Sequence, residues 1–180
     1  MKSAVEQLST YKSVHLNKKN VKTHFIGVPA IIWSLIVFLS LIELPVSLGD
    51  SDYSLTVAMI FFAGVIIYYF ALNVSLAIGQ VIFIVPTFYS AHLVAQMENA
   101  GWIAGIVFVI AWIIQFIGHH FEKAKPAFVD DLNQLLIGPF FLMAELFFML
   151  GAQKKLEEEI TPIAIEKRRA FEAKRKAMQS

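Results

Sequence analysis

Residues 102–120 read WIAGIVFVIAWIIQFIGHH, and this stretch decides what kind of fold the chain can adopt. From Trp102 to Gly118 it carries no charge and a single amide, Gln115, before it ends in His119 and His120. A helix needs about 20 apolar residues to cross a bilayer core of roughly 30 Å, and this run comes close. The sequence around it is of the same kind: no Lys or Arg occurs between Lys22 and Lys123, and the acids in that interval before His120 are Glu43, Asp50, Asp52 and Glu98. The whole chain of 180 residues is 57% hydrophobic and only 16% charged, with a mean hydropathy of +0.64. A soluble domain carries roughly 25% charged residues, so the apolar excess must face lipid. The net charge of +1 conceals two basic tails around an apolar middle, which makes membrane lipid the expected partner and nucleic acid not one. No cysteine is present. Disulfides, iron–sulfur clusters and thiolate metal sites are thereby excluded.

Three further runs match the first in length: about Phe25 to Ile42, Leu55 to Leu72, and Leu76 to Ala95. The breaks between them are polar: Glu43, Pro45, Gly49, Asp50 and Asp52, then Asn73 and Ser75, then Gln96, Glu98, Asn99 and Gly101. A fifth apolar segment, Leu132 to Gly151, contains Gly138-Pro139 and Glu145. Proline removes a helical hydrogen bond, and an intramembrane carboxylate must face protein or water. The predicted fold is therefore an all-α polytopic transmembrane helical bundle, with four plain spans and a fifth segment that is broken or re-entrant. Residues 1–151 form one membrane-embedded domain with a cytoplasmic N-terminal arm, and 152–180 a charged cytoplasmic helix. The first two dozen residues are polar, unlike a secretory signal, so the first apolar run is expected to remain in the mature protein.

Sidedness follows from Lys2, Lys12, Lys18, Lys19 and Lys22, which place the N-terminal arm in the cytoplasm. Lys123 and Lys125 return the chain to that side after the fourth span, and the basic tail beyond Gln153 calls for an even number of crossings. That tail reads either as a solvated helix with i,i+4 ion pairs or as an arm attracted to anionic headgroups.

Five histidines occur, at 15, 24, 92, 119 and 120. With four crossings, His15, His24, His119 and His120 meet one membrane surface, and His92 meets the other. Neutral imidazoles without sulfur suit a borderline divalent metal such as iron, zinc, copper or nickel. Adjacent helical residues point about 100° apart, so His119 and His120 share one ion only where the helix ends. Asn17-Lys18-Lys19-Asn20 reads as a turn that folds the arm back toward His24. The alternative is four independent interfacial histidines. On the His119 face, Gln115 at i−4 and Glu122 at i+3 are placed to orient the imidazole; Glu122 could also ligate, or pair with Lys123 or Lys125. Tyr11 stands at i−4 to His15, and Asn20 in the turn. Glu145, inside the fifth segment, must be protonated or lie near a cation or metal.

The ordered motifs Tyr11-x3-His15-x4-Asn20-x3-His24-Phe-Ile-Gly-Val-Pro29, Trp112-x2-Gln115-Phe-Ile-Gly-His119-x2-Phe-Glu122-x3-Pro126-Ala127 and Gly138-Pro139-Phe-Phe-x3-Glu145 resemble the small multispan proteins related to the yeast endoplasmic-reticulum 2-hydroxy fatty acid dioxygenase. The resemblance implies iron(II)-dependent α-oxidation, in which a 2-hydroxy fatty acid and O2 give a fatty acid one carbon shorter. It implies Fe(2+) held by His15, His24 and His119, with adjacent His120 counted among the candidates. Glu122 and Glu145 are candidate catalytic carboxylates, and Tyr11, Asn20 and Gln115 candidate supporting groups. His92 falls outside the motifs, and the tail after Gln153 is unmatched. The membrane is expected to be that of the endoplasmic reticulum or a bacterial inner membrane. The competing reading is a non-enzymatic membrane protein that organises lipid or a partner, its histidines incidental; a transporter and a bis-histidine haem protein are less well matched.

Overall fold

The structure, a computed structural model, describes residues 2–47, 54–129 and 131–177. Among these the chain is all-α apart from one short hairpin: α1 Ala4–Ser13, α2 Lys18–Ser40, β1 Glu43–Ser47, β2 Ser54–Thr56, α3 Val57–Leu72, α4 Val74–Ala95, α5 Ala100–Glu122, a 3-10 turn Ala127–Val129, α6 Gln134–Met149 and α7 Lys154–Ala177. Three helices, α2, α4 and α5, are long and apolar enough to cross a membrane. α3 and α6 are equally apolar in character but have only 16 residues each, a rise of about 24 Å.

The chain forms two compact units. One comprises residues 25–115. Within it α2 and α5 run antiparallel at close approach: a Cβ on Gly27 would lie 3.1 Å from the Ala111 carbonyl, and Gly101 faces Leu41. Small residues at such crossings let apolar helices pack without large side chains between them, and Ala104 and Ala111 are buried here. α3 and α4 pack together across the single residue Asn73, which ends α3 and caps α4 by accepting a hydrogen bond from Leu76 N at 3.1 Å. Their outward faces are apolar: Ile60, Ile67, Ile82 and Val85 are all more than half exposed. Such surface suits hydrocarbon. The predicted turn after Ile42 is instead the β1–β2 hairpin, and Gly49, Asp50 and Asp52 lie outside the described residues.

The other unit gathers residues 1–24 and 116–180. α1 starts at an N-cap, Ser3 Oγ accepting from Glu6 N at 3.1 Å, with an acid in its first turn. It packs between α6 and α7. Leu8, Ile137, Phe140, Phe141, Ile160 and Ala164 are buried to 0%, and Gln134 Nε2 donates to Gln7 Oε1 at 2.8 Å.

The fifth apolar segment is not broken at Gly138-Pro139. α6 runs unbroken from Gln134 to Met149 with Pro139 inside it. Pro139 stands in the second turn, where its missing N–H leaves a single helical bond unmade. Gly138 serves packing: a Cβ there would come within 3.0 Å of the Tyr11 hydroxyl. Pro29, Pro86 and Pro162 are likewise inside helices. The C-terminal segment also differs from a freely solvated helix. Lys167 of α7 donates to Thr10 Oγ1 at 2.7 Å and Ser9 Oγ at 3.0 Å, and Arg168 and Arg175 bond to the end of α5.

Candidate metal centre

Helical spacing positions the first two imidazoles. His15 follows the end of α1, and its Nδ1 lies 2.7 Å from the carbonyl of Tyr11, four residues back. His24, in the second turn of α2, repeats this with the carbonyl of Asn20 at 2.9 Å. A carbonyl only accepts, so both Nδ1 atoms carry the proton and both Nε2 atoms present lone pairs. These two Nε2 atoms face each other at 3.0 Å. Two bare lone pairs at that separation repel unless a positive centre lies beside them, and two neighbouring nitrogens on one ion with bonds of about 2.1 Å stand this far apart.

The third imidazole comes from the last turn of α5. The His119 ring is 4.9 Å from that of His15 and 5.1 Å from that of His24, centroid to centroid. His15, His24 and His119 are all buried, and each offers a ligand nitrogen within 4.8 Å of the others. Nδ1 of His119 is buried and meets no hydrogen-bond partner among the described residues. Two opposed lone pairs with a third buried imidazole beside them fit a bound cation, and neutral nitrogen donors fit a divalent metal of the iron-to-zinc group. Burial, reinforced by His24 and His119, drives His15 well below the ordinary imidazole value, so it is neutral and ready to ligate.

The surrounding groups hold the rings in place. Tyr11 stacks on His15 at 4.0 Å with ring planes 3° apart, and burial raises its phenol above its ordinary range. Asn20, fully buried, gives its carbonyl to His24 and its Nδ2 to Glu122 Oε2 at 3.2 Å. Gly118 lets α5 approach α2: a Cβ there would fall 2.1 Å from Thr23 Oγ1 and 2.5 Å from Asn20 Oδ1.

Other residues singled out in the sequence are placed differently. His120 is exposed and lies outside the three-imidazole group, because α5 continues through Glu122 and keeps the two neighbours on different faces. The chain reverses at residues 14–17, not at 17–20: Lys18 already begins α2, and Asn17 caps it through Lys19 N at 2.9 Å. Glu122 is 4% exposed and bonds to backbone and to Arg168. Glu145 is ion-paired with Lys12 at 2.5 Å, joining α6 to α1. Gln115 packs on Gly27. His92 belongs to the unit of residues 25–115. Arg168 was not legible as a site residue, since a mostly polar helix far along the chain gives no periodic signal toward an acid 46 positions earlier.

Beside His119 the surface opens into a cavity of about 490 Å³ lined by His119, His120, Lys123, Ala124, Lys125, Phe171 and Arg175. Its rim is cationic with one aromatic wall, a combination suited to an amphipathic anion.

Comparison with known proteins agrees with this chemistry. Residues 1–150 match the family described as Mpo1-like, 2-hydroxy-palmitic acid dioxygenase Mpo1-like. The 2-hydroxy-palmitic acid dioxygenase MPO1 of Saccharomyces cerevisiae is 33% identical over 155 residues, covering 84% of this chain and 83% of that protein. No solved structure matches significantly. The histidine and carboxylate motifs and the buried imidazole cluster all lie within the matched residues, and the chain belongs to the Mpo1-like family.

Proposed function

We propose that this protein is a membrane-embedded iron(II) dioxygenase that converts a 2-hydroxy fatty acid to the fatty acid one carbon shorter. The observation that carries the reading is the pair of Nε2 lone pairs opposed at 3.0 Å, with a third buried imidazole beside them. Family membership supports 2-hydroxy fatty acid as the substrate class. The balance closes without a co-substrate: a 2-hydroxy acid and O2 give the shortened acid, carbon dioxide and water, the substrate supplying all the electrons that O2 accepts. His15, His24 and His119 would hold iron(II), which when bound would supply the redox chemistry that joins the hydroxy acid to O2.

The chain's own residues define how substrate arrives. Lys123, Lys125 and Arg175 at the cavity rim attract a carboxylate, and Phe171 faces the carbons next to it. The neutral state of His15 keeps a proton from competing for its ligand nitrogen. Tyr11, stacked flat on His15, and Phe141, 5.8 Å from that ring, exclude water from its faces.

Membrane crossing follows from the same cluster. His24 stands near the start of α2 and His119 near the end of α5, yet their rings are 5.1 Å apart. This proximity supports one shared membrane surface for the two helix ends and an even number of crossings between them. If α4 spans, its partner α3 spans with it despite its 16 residues, giving four crossings. The basic arm supports a cytoplasmic position for the centre.

The test is incubation of the purified full-length chain with a 2-hydroxy C16 acid, iron(II) and O2 under reducing conditions, with analysis for the C15 acid. His119→Ala should lose both bound iron and product. An iron-loaded wild type that forms no C15 acid would refute the assignment.

A further inference from the structure

Glu122 is a buried carboxylate whose four hydrogen bonds reach three parts of the chain. Oε1 accepts from Leu16 N at 3.2 Å and from Arg168 Nη1 at 3.0 Å. Oε2 accepts from Asn17 N at 2.8 Å and Asn20 Nδ2 at 3.2 Å. Leu16 and Asn17 directly follow His15, Asn20 supplies the carbonyl that orients His24, and Glu122 stands one helical turn after His119. A single side chain thus fixes the segments that carry all three imidazoles. Arg168 is the cation that makes this arrangement tolerable, because a carboxylate buried without one is strongly destabilising. The guanidinium also donates through Nη2 to the Glu122 carbonyl at 2.9 Å and through Nε to Glu172 at 2.6 Å, and Arg175 bonds the Lys123 carbonyl one residue further on. The last turn of α5 is therefore held from outside by α7, and α7 lies beyond residues 1–150 that match the family.

We propose that α7 completes the metal centre: Arg168 is a positioning residue that holds Glu122 as the anchor of the His15–His24 connection and keeps its carboxylate turned toward backbone donors. Without the guanidinium, the carboxylate loses its charge partner, the 14–17 connection loosens, and the spacing of His15 and His24 against His119 is no longer set. This rests on reading the three imidazoles as a metal centre.

Titration of the full-length protein in detergent with cobalt(II) chloride, followed by its visible absorption, separates the two claims. Wild type should bind one cobalt per chain and His119→Ala should not. Arg168→Gln should weaken cobalt binding about tenfold or more, the range typical of lost support behind metal ligands. The double variant Glu122→Gln, Arg168→Gln should lose no more than the weaker of the two single variants, since both act through one contact. Arg168→Lys keeps the charge and the fold but cannot reach both the Glu122 carboxylate and its carbonyl, and should bind about threefold to tenfold more weakly. Wild-type cobalt affinity in Arg168→Lys and Arg168→Gln, or fully additive losses in the double variant, would overturn the proposal. Absence of cobalt binding by wild type would overturn the underlying metal assignment, and the proposal with it.

Discussion

Gly118→Ala should damage the metal centre without touching a ligand. A Cβ at this position would stand 2.1 Å from Thr23 Oγ1 and 2.5 Å from Asn20 Oδ1. Thr23 has little freedom to turn aside. Its hydroxyl already donates to the Asn20 carbonyl at 2.7 Å, and its branched Cβ restricts χ1 in a helix. Relief therefore requires this part of α5 to withdraw from α2 by roughly 1 Å, an overpacking displacement that costs about 1–3 kcal/mol. The gain from replacing glycine by alanine in a helix, about 1 kcal/mol, offsets part of this. The net loss of stability is small, about 0–2 kcal/mol, but metal bonds tolerate only about 0.2 Å of misplacement. Metal affinity should thus fall much further than thermal stability, by a factor of about 100. Cobalt titration and a thermal melt of the same preparation read both quantities. Thr23→Ala in the Gly118→Ala background removes the nearer clash and should recover part of the affinity. Gly64→Ala in α3, where a Cβ meets nothing within 4 Å, should leave binding unchanged. A Gly118→Ala protein that binds cobalt as tightly as wild type would refute the idea that close approach at this glycine sets the position of His119.

Gly138→Ala should press on the Tyr11 hydroxyl, 3.0 Å from the added carbon, and through the stacked ring on His15; cobalt affinity should drop a few fold, and Tyr11→Phe in the same chain should restore it. The Lys12–Glu145 pair, with side chains 12% and 18% exposed, should act in stability. Glu145→Ala should lower it by about 3 kcal/mol as seen in the melting temperature, while the double variant Lys12→Met, Glu145→Met regains most of the loss. Turnover abolished in Glu145→Ala with melting and metal content unchanged would instead make Glu145 catalytic.

The charge gap from Lys22 to Lys123 made the apolar helices legible, because composition alone decides whether a helix can face lipid. It did not reveal that α2 begins at Lys18 and α5 ends at Glu122. Those polar turns are helical because their side chains, His24, Asn20 and Glu122, find partners within one compact unit, and tertiary burial carries no local signature. The i−4 relations of Tyr11 to His15 and Gln115 to His119 were visible as spacing, whereas the contact that actually supports His24, the carbonyl of Asn20, uses the same spacing but not the side chain. Gly138-Pro139 misled for a physical reason. A proline near a helix start costs one hydrogen bond, which packing by Phe140, Phe141 and Ile137 outweighs. α7 was readable as a helix, but its seating on α1 depends on small buried contacts at Ile160 and Ala164 that hydropathy does not distinguish from a solvated edge.

The bonds that gather on Glu122 also impose an order in time. Its donors lie 106 and 105 positions earlier and 46 positions later in the chain, so the anchor cannot close until Arg168 has been made. His15 and His24 leave the ribosome first, as two imidazoles without a third. His119 joins them only after the intervening helices have been made, and the guanidinium that pairs with the anchor follows later still. Contacts so far apart in sequence form late because the intervening chain must be ordered first. On the metal-centre reading, loading therefore waits until Arg168 has been made, and a chain that stops short of it offers a metal only an unsupported set of ligands.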